Sequence, residues 1–308
     1  MNLRQLQYFI QIVEEGSFSR ASQTLHIAQP ALSHQLANLE KELGVKLLLR
    51  SVRGVAPTAA GVAVLRQAHL ILKQVEATKL IASEAEKGIA GVVTIGLPWT
   101  VSTRVGLPLL KELKKSAPGI KVEIIEGPSS FLANLLARGK LDVAVVFDDS
   151  TDGGLVMNKV ATEPMLWIGP KGELPMLESV DVLRPFSEPL LLVSRPNGVR
   201  ETLERIFAKH NVTPLVVAEV NSPLLLLKAV HEGLGHSILP LSAVMAAENA
   251  GEVDAIRIDD DRVVRHVYLC TSKVETLTAA ADHTYRLLEL LIRDFFNNQA
   301  NQYITSGG

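Results

Sequence analysis

The spacing of apolar residues changes once along this chain, and that change restricts what it can fold into more than any other feature. Up to about residue 88 apolar side chains recur at steps of three and four, beginning with Leu3, Leu6, Ile10 and Val13. Beyond Gly88 short apolar runs alternate with amphipathic stretches. A chain of 308 residues with one such switch reads as a helical head joined to an α/β body.

Within the head, Gly16 ends the first helix. Ser17 can cap a second helix over Phe18–Leu25 by accepting from an unpaired first-turn amide. His26, Ile27 and Ala28 form the turn. A third helix begins at Gln29, with Pro30 in the first turn where no amide hydrogen is needed, and ends near Gly44. Val45–Pro57, with Arg50, Arg53 and Gly54, suits a small hairpin or wing, and Thr58 can cap the next helix.

That helix, expected over Ala59–Lys87, carries Val64, Ala68, Ile71, Val75, Thr78, Ala82 and Ala85 as an approximate heptad seam. Val62, Leu65, His69 and Leu72 form a second stripe, expected to face the head. About 29 residues make a rod of roughly 40 Å. Two apolar stripes need two partners, so the rod is expected to link the domains and to dimerise.

In the body, expected strands are Val92–Leu97, Lys121–Glu126, Val143–Phe147, Leu190–Val193, Leu215–Val220, Ser237–Leu239 and His266–Cys270. Helices are expected over Arg104–Ser116, Phe131–Arg138, Val199–His210, Leu224–Glu232 and Leu277–Phe296, with a polar tail after them. The alternation predicts parallel sheet with right-handed crossovers, arranged as two lobes around a cleft.

Composition narrows the function classes. No apolar run reaches the roughly 18 to 20 residues of a membrane helix. The start lacks a cationic segment followed by an apolar one and a cleavage site, and the single cysteine, Cys270, cannot form an internal disulfide. Both point to a reducing cytoplasm. Residues 1–90 hold 10 Lys/Arg against 7 Asp/Glu, and the remainder 21 against 26, so a slightly basic head sits on an acidic body.

Three short helices with a tight turn before the third describe a helix-turn-helix. Projected on the third helix, Leu32, Leu36, Leu39 and Leu43 share one face, within an arc of roughly 60°. The opposite face presents Pro30, His34, Ala37, Asn38 and Lys41, flanked by Gln29 and Ser33. Gln can bridge adenine, Ser can donate or accept, and His can donate to guanine. Arg50 and Arg53 beside Gly54 can neutralise phosphates or enter the minor groove. On periodicity alone, an ordinary bundle helix with exposed polar residues is the competing reading.

The residues Phe9, Val13, Gly16-Ser17-Phe18, Ala21, Leu25, Gln29-Pro30-Ala31-Leu32-Ser33, Leu39-Glu40, Leu43-Gly44, Leu47, Arg50, Arg53, Pro57-Thr58 and Gly61 resemble the winged helix-turn-helix head of LysR-type transcriptional regulators. Gly139-Lys140-Leu141-Asp142-Val143-Ala144 and Gly233-Leu234-Gly235-His236-Ser237-Ile238-Leu239-Pro240 resemble that family's effector domain. Ile27-Ala28-Gln29-Pro30 and Arg53-Gly54-Val55 are similar to the branch of the nitrogen assimilation control proteins. Leu48 stands where the family usually has Phe and Ser22 where a second Ala is common, both matters of packing. His34 occupies a variable position.

The resemblance implies direct DNA contact by Gln29, Pro30, Ser33 and Arg53. It implies a winged helix-turn-helix domain over 1–58, a linker and dimerisation helix over 59–88, and an effector-binding and oligomerisation domain over 89–308. The last would be two doubly wound lobes like a periplasmic binding protein, lobe I at about 89–161 and 268–297 and lobe II at about 162–267. Implied partners are promoter DNA, a small-molecule effector, and a homodimer that pairs into a tetramer. RNA polymerase is a further expected partner, in a bacterial, nucleoid-associated setting. Whether an effector is needed stays open, since relatives of the nitrogen control branch can work without one.

Ligands of two-lobed α/β domains sit where strand ends meet helix N-termini. Thr100, Ser102 and Thr103 follow the first body strand, and Ser129 and Ser130 the second. Ser194, Asn197 and Arg200 surround a turn of the second lobe, and Asn221-Ser222 another. Each alone reads more readily as a plain helix cap, but their recurrence points to a cleft; Arg200 suggests an anionic ligand, and a surface salt bridge explains it equally well. An enzyme is disfavoured. Gly139-Lys140 lacks the rest of a phosphate loop, the pairs His26/His34 and His231/His236 lack helical zinc spacing, and Cys270 lies in an apolar run. No metal and no cofactor is expected. A secreted solute-binding protein would fit the body but not the head.

Overall fold

The computed structural model describes residues 1–51, 54–83, 89–147, 154–273 and 276–304. The head comprises α1 (Leu3–Glu15), α2 (Phe18–Thr24), α3 (Gln29–Leu43) and a hairpin of β1 (Leu48–Ser51) with β2 (Gly54–Pro57). Local chemistry sets each boundary. Asn2 and Gln5 cap α1 reciprocally, and Gly16 closes it in the left-handed region at φ 59°. The Ser17 hydroxyl accepts from the Arg20 amide, and Pro30 occupies the first turn of α3. Phe9, Ile12, Leu32, Leu39 and Leu47 are fully buried at the centre.

Helix α4 (Ala59–Ser83) is capped by Thr58, whose hydroxyl accepts from the Gly61 amide at 2.9 Å. The expected continuation over 84–87, and Ala85 with it, lies outside the described residues. Leu65 and Ala68 are buried in the head core, with Val64, Ile71 and Leu72 packed against it. The head-facing stripe is therefore broader than expected. Ala68, expected on the dimer seam, is 0% exposed within its own chain and unavailable for that seam. Among the described residues no helix is long and apolar enough to cross a membrane.

In the body, β3 (Ala90–Leu97) lies parallel between β4 (Gly119–Glu126) and β5 (Val143–Phe147). α5 (Trp99–Val101) runs through a π turn at Ser102–Gly106 into α6 (Leu107–Ser116), and α7 is Ser129–Ala137. Next come β6 (Leu155–Pro170), β7 (Ser179–Val180), β8 (Leu190–Val193), α8 (Gly198–His210), β9 (Val216–Val220) and α9 (Pro223–His231). Then follow β10 (Ser237–Pro240), α10 (Leu241–Asn249), β11 (Val253–Ile258), β12 (Val264–Ser272) and α11 (Ala279–Ile304).

The sheet is not parallel throughout. Its order is β4-β3-β5-β12-β6-β11-β7, with β10 also on β6, and β12 runs antiparallel to both β5 and β6. The 16-residue β6 explains this: Leu155–Pro164 pairs with β12, while Met165–Pro170 pairs with β10 and β11. The chain leaves lobe I along β6 and returns along β12, so the two crossing strands must oppose each other. Both expected lobe boundaries, 161/162 and 267/268, fall inside these continuous strands. Separate apolar cores lie on either side, one around Ile95, Leu109, Val143 and Leu288, the other around Trp167, Leu190, Leu226 and Val244.

Candidate DNA-binding surface and interlobe cleft

Leu32, Leu36 and Leu39 anchor α3 in the head core, with Leu43 half-buried at its end. The opposite face is open: Gln29, Pro30, His34, Ala37 and Lys41 are exposed, and Ser33 and Asn38 half-buried. His34 Nδ1 and Asn38 Nδ2 lie 3.3 Å apart, one turn along the helix. The outer face is thus polar where a major groove would meet it.

Glu40 was legible only as part of the resemblance, yet it organises the wing. Its side chain is 9% exposed and accepts from the Leu47 and Leu48 amides at 2.9 and 3.3 Å, and from Lys46 Nζ at 2.7 Å. Burial pushes its carboxyl upward, but Lys46 and the two amides outweigh this and hold it below the usual carboxylate range. At the hairpin, the Val55 amide donates to the Gly16 carbonyl at 2.9 Å. A Cβ on Gly54 would lie 2.7 Å from that same oxygen, so glycine is required there. The exposed Arg50 places its guanidinium 4.2 Å from the centre of the Phe18 ring, which holds it beside α2. Arg53 lies outside the described residues.

Between the lobes is a cavity of about 360 Å³. Its walls include Pro98, Trp99, Thr100, Gly127, Pro128 and Ser129 from lobe I, Phe147 and Arg265 near the crossing strands, and Pro196, Asn197 and Asn221 from lobe II. Of the expected contacts, Thr100, Ser129, Asn197 and Asn221 meet here. Ser129 Oγ accepts from the Phe147 amide at 2.9 Å. Asn197 Oδ1 accepts from the Val199 amide at 2.9 Å, capping α8 as well as lining the cavity.

The other expected contacts are corrected by the geometry. Ser102 and Ser194 do not line the cavity, and the Thr103 hydroxyl turns back to the Trp99 carbonyl at 3.1 Å. Arg200 is buried and outside the lining, bonding Glu204 at 2.5 Å and Glu219 at 2.8 Å. Those two carboxylates neutralise the guanidinium expected to meet an anion.

Sequence reasoning missed Arg265, which lines the cavity. It is paired in register with Glu163 across the two crossing strands. Its Nε donates to Glu163 Oε1 at 2.8 Å, and Nη2 reaches the same carboxylate. Nη2 also reaches Thr100 Oγ1 at 3.2 Å and Ser242 Oγ at 3.1 Å. The guanidinium lies 3.4 Å from the Phe147 ring centre, and Glu163 Oε2 accepts from the Ser242 amide at 3.0 Å. One buried cluster therefore ties Thr100 of lobe I to Ser242 of lobe II. Cys270 is fully buried, and burial pushes its thiol up to about 12, far from a reactive thiolate. Among the described residues no group of three or more His, Cys, Asp or Glu is arranged to hold a metal ion.

A winged helix-turn-helix carried on a long helix, with a two-lobed α/β body enclosing a cavity, defines the class of DNA-binding regulator with a ligand-binding body. Residues 3–62 match the bacterial regulatory helix-turn-helix protein family of the lysR type, and residues 86–291 the LysR substrate binding domain. The chain is 32% identical over 307 residues to the nitrogen assimilation regulatory protein nac of Klebsiella aerogenes, covering 99% of this chain and 100% of that protein. It is 35% identical over 244 residues to nac of Escherichia coli strain K12, covering 79% of each. A solved full-length OxyR variant from Pseudomonas aeruginosa is similar with a TM-score of 0.70 and 25% identity, over 95% of each chain. The chain belongs to the LysR family of transcriptional regulators.

Proposed function

We propose that this protein binds promoter DNA as a homodimer that assembles into a tetramer, reads an interrupted palindrome, and responds to a small molecule in the interlobe cavity. The observation that carries the DNA part is the exposed polar face of α3, with Gln29, Pro30, Ser33, His34 and Asn38 opposite buried leucines. Pairing of two heads would place a two-fold axis in the protein opposite one in the operator. Val75 remains for the seam along α4, joined by Val64 and Ile71, which touch the head core yet stay half-exposed in one chain.

The cavity supports the effector part. Its walls come from both lobes, so an occupant that prefers the closed arrangement would shift lobe closure and with it the spacing of the heads. RNA polymerase is the expected partner at the promoter, and the nucleoid the expected location.

Gln29→Ala and Ser33→Ala are each expected to weaken binding to the selected operator by about 1–3 kcal/mol while leaving thermal stability unchanged. Unchanged affinity in both variants would refute the recognition face. Charged replacements of Ile71 and Val75 are expected to give monomers on sedimentation, and an intact dimer would refute the seam.

A further inference from the structure

The charges around the cavity identify the chemistry of its ligand, an inference that rests on the cavity being the effector site. Three ionisable side chains line it: Glu126, Glu201 and Arg265. Arg265 is buried and matched by Glu163, and Arg200, the other arginine nearby, is matched by Glu204 and Glu219. Glu126 and Glu201 are exposed, and no ion pair engages either of them among the described residues. Within the lining itself the charge left unmatched is therefore negative and divided between the lobes, Glu201 also lining an adjoining pocket with Arg205, Lys209 and Arg262. Glu126 ends β4 on lobe I, and Glu201 sits in the first turn of α8 on lobe II.

We propose that the ligand is a small ammonium-bearing molecule with an apolar body, its positive charge placed between Glu126 and Glu201. A closure that narrows the gap between these two carboxylates would be opposed by their repulsion until a cation lies between them. The ligand's charge is then what couples binding to closure. The half-buried Trp99 ring on the same wall adds a face that attracts a cation, and the prolines and Phe147 accommodate an apolar body. A carboxylate on the same molecule has a place at the start of α7, where Pro128 supplies no side-chain cap and Ser129 and Ser130 line the cavity. Simple amines and amino acids share the required ammonium group, and the test separates them.

Three probes of matched size, 2-phenylethylamine, phenylalanine and 3-phenylpropionate, are titrated calorimetrically into the full-length protein and into the Glu126→Gln/Glu201→Gln variant. Neither glutamate is buried, so the variant is expected to fold normally. At least one ammonium probe is expected to bind about tenfold or more tighter than 3-phenylpropionate, and to lose about tenfold in the variant. Tighter binding of phenylalanine than of the amine would assign the class to amino acids, and the reverse to amines. If 3-phenylpropionate binds best and keeps its affinity in the variant, the charge inference is overturned while the cavity remains the effector site. If none of the three binds up to about 10 mM, the inference is likewise overturned. The effector reading itself fails only if a charge-diverse metabolite set also leaves the melting temperature unmoved.

Discussion

Lys73, in the middle of α4, donates to the carboxylate of Asp142 in the turn before β5, and that carboxylate also accepts from the Thr94 amide at 2.7 Å. The side chains are 17% and 10% exposed. A second pair, Lys140 with Glu14 at 2.6 Å, links the same turn to α1. The Gly139–Asp142 turn, recognised first as a sequence motif, is thus a joint between head, linker and body.

Asp142→Ala is expected to destabilise the chain by about 2–3 kcal/mol in denaturant titration, because the Lys73 ammonium and the Thr94 amide both lose a charged partner. Lys140→Ala, at a pair about one-third exposed, is expected to cost less than about 1 kcal/mol. Equal effects would show that the joint is not built around Lys73 and Asp142.

At the crossing strands, Glu163→Ala leaves Arg265 charged and unmatched where side-chain exposure is 8%. A loss of about 3–5 kcal/mol is expected. Replacing both residues with methionine is expected to recover most of it, since the cost lies in the unmatched charge. A double variant as unstable as the single one would contradict this.

Gly61 faces the wing so closely that a Cβ there would lie 2.0 Å from the Leu47 carbonyl oxygen. Gly61→Ala is therefore expected to displace α4 from the wing and lower stability by about 1–3 kcal/mol, despite the better helix propensity of alanine. A melting temperature equal to or above that of the parent would refute the contact.

Burial holds the His69 imidazole below its ordinary value; Lys140 adds to this and Glu14 opposes it. Burial likewise lowers His236, against opposing effects of Glu188 and Glu173. In both cases the unfolded chain takes up the proton more readily. Stability is then fully present above about pH 6.5 and falls as pH drops below that value through the depressed folded ones. His69→Gln is expected to make the stability profile shallower between about pH 7 and 5. An unchanged slope would show that His69 titrates normally in the folded protein.

Much of the head was readable because its signals are local. Gly16, Ser17, Pro30 and Thr58 mark boundaries by backbone chemistry, and the α3 leucines mark their face by spacing. In the body, β5 and β8 emerged with their observed limits because they are short apolar runs. The long β6 was not seen: Asn158, Lys159, Thr162 and Glu163 break its apolar pattern, and Pro164 reads as a strand breaker. With β6 hidden, its residue Glu163 and the facing Arg265 could not be paired, and the cluster at the crossing strands went unread. At the cavity, the rule that ligands meet strand-to-helix turns found Thr100, Ser129, Asn197 and Asn221. It overreached at Ser102 and Thr103, because each step along a helix turns the side chain by about 100°. Arg200 failed for a reason present in the sequence, a glutamate four residues on at Glu204.

Retention of genomic DNA fragments by the full-length protein at low and high salt, followed by sequencing, tests the central claim most directly. The account predicts a common dyad-symmetric site, enriched at about 50 mM salt and lost towards about 300 mM as released counterions cease to favour binding. It also predicts that this enrichment disappears in the Gln29→Ala/Ser33→Ala variant. Failure to enrich any site at either salt, or equal enrichment by the variant, would contradict it.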